Sequence, residues 1–357
     1  WNTLITGYAD HGYSEKALRC FEQMQLEGIF QTDVTLICIL KAYGSIEAID
    51  NVVAIHAQIE SQGSLGNNIV VGSTLVDMYA KCGSFARAQQ VFDKLVDRNV
   101  VLWTVLITRC AEYGHSEAAL NCFEQMQLEG IPPNAVTLIC ILKACGNIGA
   151  KEKGQEIHAA ITSEGLEKDV FIGSALIDMY CNCGILSRAQ EVFDNHVIRD
   201  SVTWNALLAG YAQLGESDKV FSILNGMLEE GQRPSMVTFV SVLNACSHAG
   251  LVDEGNMYMV KLSQNYGMLP SLEHHNCAVD LLGRAGQFNR AMLCIEFMPF
   301  LPNIVVWHTI LSACRKWSNV QLGTHIFEHA LELDDKDLST YFYMSNIFLD
   351  AGTQEDA

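Results

Sequence analysis

The sequence predicts an all-α solenoid, a superhelix of tandem helix-turn-helix hairpins, and three observations point to it. The first is helical spacing in the stretch 100–134, VVLWTVLITRCAEYGHSEAALNCFEQMQLEGIPPN. Trp103, Leu106, Ile107, Cys110 and Ala111 recur at the i, i+3, i+4, i+7, i+8 positions of an amphipathic helix. The second is punctuation. Gly114 and His115 break the pattern, and Ser116 is expected to cap a second helix through Ala119, Leu120, Phe123 and Met126. Gly130 follows where a left-handed residue is wanted, and Pro132 and Pro133 forbid continuation. The third is repetition. The same text returns as WNTLITGYADHGYSEKALRCFEQMQLEGI from Trp1, WNALLAGYAQLGES from Trp204 and WHTILSACRKW from Trp307.

The intervals between Trp1, Trp103, Trp204 and Trp307 are three hairpins long. Two further hairpins sit in each, marked by LKAYG, LKACG and LNACS, then by LVDMYAKCG, LIDMYCNCG and AVDLLGRAG. Repeats at a fixed period bury their open faces only against their neighbours, which is the definition of a solenoid. Composition agrees. With 49% hydrophobic residues, six prolines and no low-complexity linker, 357 residues form one continuous array. No apolar run reaches membrane-spanning length. The first residue falls inside a repeat, so the chain is expected to be a fragment with any targeting segment outside it. Thirteen cysteines contain no C-x-x-C pair and fall singly on apolar faces, as reduced, buried thiols do.

In chain order the hairpins are 1–32, 33–68 and 69–99; 100–134, 135–169 and 170–200; 201–235, 236–271 and 272–303. The phrases WNALLAGYAQLG, LVDMYAKCG and HHNCAVDLLGRAG, and this alternation of lengths, resemble the plant pentatricopeptide repeat family, in the subclass that cycles long, longer-variant and short motifs. From Ile304 the text VVWHTILSACRKWSNVQLGTHIFEHALELDDKD is similar to that subclass's first extension motif (304–337), and 338–357 to a truncated second one.

Candidate chemistry is sparse. His115-Ser116-Glu117 spells the H-x-E of a zinc deaminase, but no P-C-x-x-C follows, and Gly-His-Ser is good turn text. Glu273-His274-His275-Asn276-Cys277 is dense enough for a metal, yet adjacent histidines diverge on a helix. His56 and His158 recur in AIHAQI and EIHAAI as packing positions, and the periodic tryptophans as core rather than base-stacking groups. No phosphate loop, triad or acid–base pair is present; the expectation is a non-enzyme without metal or cofactor.

The net charge of −19 has the wrong sign for holding phosphates. Taking the first helices as 1–11, 35–43, 72–82, 103–113, 137–145, 173–183, 204–214, 238–248, 274–284 and 306–317, the expected groove row carries seven bases against five acids. Such a row favours base contacts over a phosphate clamp. The resemblance implies sequence-specific binding of single-stranded organellar RNA, in mitochondrion or chloroplast, one base per repeat. Its use is site recognition for C-to-U editing, with a deaminase or editing-complex protein engaged through 304–357. The alternatives are stabilisation, splicing or translation control by occupancy, or a tetratricopeptide-like protein scaffold. A base reader varies, among small polar types, the residue after the helix-opening aromatic and the last residue of each hairpin. The pairs are Ser73/Asn99, Thr104/Asn134, Ser174/Asp200, Asn205/Ser235 and Asn276/Asn303, with Ile139/Asp169 and Val240/Ser271 mute. Side-chain chemistry and the family's recognition code then imply the RNA core A-A-N-G-Y-N-Y, read from the 5′ end. Asn2/Thr32 fits no rule.

Overall fold

The computed structural model describes residues 1–61, 68–96, 98–196 and 198–352, and they are all-α: helices and one short 3₁₀ turn at 166–168, with no strand among the described residues. The helices come in hairpins, and the chain falls into two compact units, Trp1–Cys183 and Gly184–Ala357.

In the first unit, one row of helices consists of α1 (Asn2–Asp10), α3 (Asp33–Ser45), α5 (Ile69–Lys81), α7 (Val100–Glu112), α9 (Ala135–Ile148) and α11 (Val170–Asn182). Their partners within the hairpins are α2 (Ser14–Leu26), α4 (Ile49–Ser61), α6 (Phe85–Lys94), α8 (Ser116–Leu128) and α10 (Lys151–Ser163). Each row helix packs on the next, α1 on α3 through to α9 on α11. The second unit opens with α12 (Leu186–Asn195) and repeats the scheme. Its row is α13 (Ser201–Gln213), α15 (Met236–Ala249), α17 (Leu272–Arg284), α19 (Ile304–Lys316) and α21 (Leu338–Asp350). The partners are α14 (Ser217–Glu229), α16 (Val252–Gln264), α18 (Phe288–Glu296) and α20 (Val320–Leu333).

The tryptophans hold the hairpins together rather than opening helices. Trp103 is buried, meets the Phe92 ring edge-on at 4.4 Å, and donates its indole N–H to Glu129 at 3.1 Å. Trp204 repeats the contact on Phe193 at 4.7 Å, and Trp307 stacks on His329 at 5.2 Å. Such aromatic pairs add about 0.5–1.5 kcal/mol beyond the area they bury. These indoles are therefore closed to a nucleic-acid base.

Two sequence expectations are corrected. α7, α13 and α19 begin about a turn earlier than their tryptophans suggest, because their first two residues are not buried; Val101 and Val202 are over half exposed. Ser116 is not a cap. The Gly114 turn (φ +80) closes with His115 N–H donating to the Cys110 carbonyl, so Ser116 is already the buried first residue of α8. Gly130, at φ +70, does occupy the left-handed position.

Trp103→Ala should lower the unfolding free energy of the first unit by about 3–5 kcal/mol. Urea denaturation followed by circular dichroism measures it, and a loss below about 1 kcal/mol would show that the indole is not a core element.

Candidate nucleic-acid interface

The ten residues singled out by pairing occupy two repeating places. Ser73, Thr104, Ser174, Asn205 and Asn276 each stand at the fifth residue of a row helix (α5, α7, α11, α13 and α17). Asn99, Asn134, Asp200, Ser235 and Asn303 are the N-caps of α7, α9, α13, α15 and α19. Asp169 and Ser271 cap α11 and α17 in the same way, and Thr32 and Asn68 cap α3 and α5. Each row helix after α1, whose N-cap is Trp1, therefore starts on a polar side chain. Asn99 accepts from Leu102 N–H at 3.0 Å, and Asn303 from Val306 N–H at 3.2 Å.

This changes what residue type can prove. Ser, Thr, Asn and Asp are the preferred caps of any helix, so their appearance at the last hairpin position does not by itself distinguish an RNA groove from a peptide groove. Geometry is the better witness. Asn205 Nδ2 donates to Ser235 Oγ at 3.1 Å, Asn134 Nδ2 to Thr104 Oγ1 at 3.3 Å, and Asn2 Nδ2 to Thr32 Oγ1 at 3.0 Å. These pairs lie about one hairpin apart in sequence and are side by side in space.

Other pairs are arranged differently. Ser73 donates to the Val70 carbonyl of its own helix at 3.0 Å, and Asn276 Oδ1 accepts from the Thr309 hydroxyl at 3.0 Å. Ser174, in the first unit, donates to the Phe171 carbonyl at 3.0 Å. Asp200, in the second, spends a single oxygen on its helix, since Oδ1 accepts both the N–H and the hydroxyl of Thr203 at 2.9 Å. Asn134 spends its carbonyl as completely. Its Oδ1 accepts Thr137 N–H at 2.9 Å and the Thr137 hydroxyl at 3.0 Å. The amide expected both to donate and to accept thus has only N–H to offer outward.

The residue type that pairing overlooked is a threonine two residues after the first of each of several row helices. Thr35, Thr137, Thr203, Thr238 and Thr340 are fully buried. Thr35 donates to Asn2 Oδ1 and Thr238 to Asn205 Oδ1, both at 2.6 Å, and the Thr137 and Thr104 hydroxyls share a bond of 2.7 Å. A signal was present in the recurrent Val-Thr of VTLI, VTWN and VTFV. Also overlooked is His308, whose Nε2 lies 2.9 Å from both Asp337 Oδ2 and Thr340 Oγ1. The hydrogen bonds from Thr340, with those from Ser339 and His308, hold the Asp337 carboxyl down at about 2.

The remaining candidates resolve into packing. His56 and His158 bond the hydroxyls of Tyr79 and Tyr180, at 2.9 and 2.8 Å, each tying a second helix to the next row helix. His274 is fully buried, with Nδ1 on Ser271 Oγ at 2.7 Å and Nε2 on the Met236 carbonyl at 3.0 Å. His275 turns instead to Cys294 and Phe300. No three His, Cys, Asp or Glu residues among those described converge as a metal site. His115 packs on Phe85 at 4.3 Å, with Ser116 buried beside it, so the H-x-E triplet is a packed turn.

Longer row helices also revise the charge. From α1 to α19 they include Asp33 and Glu273 as well as the five acids already counted, so seven bases meet seven acids and the row is neutral. Most of those bases face carboxylates. Arg109 bonds Asp77 and Glu112, Lys81 lies on Asp77, Arg284 on Asp280, and Arg315 on Asp350.

Comparison with known proteins places this arrangement. The PPR repeat family model matches residues 1–45, 98–147 and 199–248, and the PPR repeat model matches 73–100 and 237–265. The chain belongs to the pentatricopeptide repeat family. The curated relatives are from Arabidopsis thaliana. The pentatricopeptide repeat-containing protein At2g33680 is 35% identical over 100% of this chain and 49% of its own length. The mitochondrial relative At1g06140 is 34% identical over 99% of this chain and 64% of its own. For the chloroplastic At1g15510 the figures are 34%, 99% and 40%. The pentatricopeptide chain thus spans about half the length of these relatives. Among solved structures, the pentatricopeptide repeat protein PPR10 in complex with an 18-nt psaJ RNA element superposes with a TM-score of 0.69 at 18% identity. That match covers 100% of this chain and 58% of the other, and establishes the shared α-solenoid fold.

Burial lowers the pKa of His274 below 6.5, so this histidine contributes stability that is present above pH 6.5 and lost as pH falls through the folded value. Threonine takes the same place in other hairpins. His274→Thr should flatten part of the fall in melting temperature between pH 7 and pH 5; an unchanged pH profile would contradict the assignment.

Proposed function

We propose that this pentatricopeptide chain is a non-enzymatic reader of single-stranded RNA in a plant organelle. The observation that carries the reading is the Asn205/Ser235 contact and its counterparts at Thr104/Asn134 and Asn2/Thr32. In each, two polar side chains, one early in a hairpin and one at its last residue, form one unit on the row of first helices. One such unit per hairpin matches one base. The RNA complex of PPR10, on the same fold, supports the class of ligand.

The nine hairpins form three triplets, 1–99, 100–200 and 201–303, followed by extension motifs at 304–337 and 338–357. In this register Ser73/Asn99 and Thr104/Asn134 take A, Ser174/Asp200 takes G, and Asn205/Ser235 and Asn276/Asn303 take pyrimidines. Ile139/Asp169 and Val240/Ser271 are mute, which makes the core A-A-N-G-Y-N-Y. Asn134, with its carbonyl committed to Thr137, donates to adenine N1. Asp200 keeps Oδ2 for guanine's N–H groups. The use that fits the extension motifs is choosing a site for C-to-U editing four nucleotides past the core. A deaminase or editing-complex protein would be met through 304–357. The mitochondrial and chloroplastic relatives support an organellar setting.

Asp200→Asn tests the register without disturbing the helix, since asparagine caps as well as aspartate. Affinity for the core with G at the fourth base, relative to A, should fall by about tenfold or more. Discrimination at the other bases should stay as it was, and an unchanged fourth-base ratio would refute the register.

The neutral row sets the salt response. Lys81, Arg109, Arg284 and Arg315 already face carboxylates, so few counterions are released on binding. Titrations across salt should yield a log–log slope shallower than about −2, and a slope steeper than about −4 would reveal a phosphate clamp.

A further inference from the structure

The base-reading asparagines do not hang free, and what holds them fixes which atoms they can show. Thr238 is fully buried two residues after the first residue of α15. Its Oγ1 accepts the backbone N–H of Ser235 at 2.9 Å, so its own proton must go elsewhere. The nearest acceptor is Asn205 Oδ1 at 2.6 Å, a length proper to O–H···O and short for N–H···O. That bond orients the amide. The carbonyl turns to the buried hydroxyl, Nδ2 spends one N–H on Ser235 Oγ at 3.1 Å, and the second N–H is left over.

The arrangement recurs in the other unit. Thr32 N–H donates to Thr35 Oγ1 at 3.1 Å, Thr35 donates to Asn2 Oδ1 at 2.6 Å, and Asn2 Nδ2 donates to Thr32 Oγ1 at 3.0 Å. Two copies in separate units make this a built device rather than an accident of one junction.

We propose that the buried threonine of the following hairpin is the positioning residue that sets the hydrogen-bond polarity of the base-reading asparagine, so that each reading unit is three residues and not two. The inference rests on the RNA reading above. With its carbonyl held by Thr238, Asn205 presents N–H to a base, and the Ser235 hydroxyl, 3.2 Å from Thr238 Oγ1 in the free chain, can turn its proton from that contact to donate beside it. Two donors side by side match cytosine, which carries N3 and O2 as adjacent acceptors. Uracil places an N3–H donor next to O2 and leaves one of the two donors unmatched. The fifth base is therefore C rather than U. The same logic assigns the pair that sequence left unread: Asn2/Thr32, with Thr35 behind it, also takes C.

The test is Thr238→Val, read as the affinity ratio between the RNA core with C and with U at the fifth base. Valine stands at the same helix position in α5 (Val71) and α19 (Val306), so the hairpin accepts it. The freed amide can then turn its carbonyl outward and accept from uracil N3–H. The wild type should prefer C by about fivefold or more, the worth of one hydrogen bond. Thr238→Val should bring the ratio near parity, and Thr238→Ser, which keeps the hydroxyl, should restore it. A wild-type C preference that survives Thr238→Val would overturn the inference and leave the RNA reading standing. A wild type indifferent at the fifth base would sink the register, and this inference with it. If Thr238→Val fails to fold, Thr35→Val puts the same question to the base facing Asn2.

Discussion

The row helices after α1 share one constraint, the hydrogen bond that starts each of them. A side-chain oxygen on the residue before the helix accepts the N–H of its third residue, as Asn99 does for Leu102 and Asp200 for Thr203. Each cap is worth about 1 kcal/mol. Its larger effect is positional, because it fixes where the helix begins relative to the hairpin before it. In two of the bonded pairs the cap then lies against the fifth residue of the preceding row helix. Asn134 reaches Thr104 in this way, and Asn205 reaches Ser235. The cap residue answers to two demands, ending one hairpin cleanly and facing whatever lies along the row. Aspartate and asparagine both satisfy the first, which leaves the choice between them free for the second.

That double demand explains how much could be read from the sequence. The hairpins, their repetition and the buried tryptophans were legible, because apolar spacing records burial directly. Trp103 lies at its helix's fourth residue, yet it looked like the start, since Val100 and Val101 are not part of the buried stripe. The pairing of Thr104 with Asn134 was legible as two variable polar positions; that the second is a cap was not, because a capping asparagine and a base-facing one have the same side chain. Thr137 and Thr238 went unread although Val-Thr recurs, because a threonine before an apolar run does not reveal its partner. Their role appears only when two hairpins meet. The same holds for His308 with Asp337, and for His56 with Tyr79, where the partner stands a hairpin away.

The electrostatics follow from the same row. With Asp33 and Glu273 inside their helices, the row helices from α1 to α19 sum to zero, and the whole −19 lies on the remaining segments. A surface of that kind gives a polyanion little reason to bind anywhere but along the row, and there it must be held by base edges more than by charge. On the proposed reading, low non-specific affinity and sequence dependence are two faces of one property. In the proposed register Ile139 and Val240 are spacers, since neither offers a hydrogen bond.

The central claim, that paired side chains on the row read successive bases, is tested most directly by selection. The wild-type chain is incubated with a pool of fully randomised RNA, and the bound fraction is sequenced. The account predicts enrichment of A-A-N-G-C-N-Y, with no preference at the third and sixth bases. Enrichment of an unrelated motif, or recovery of the pool without sequence bias, would contradict it.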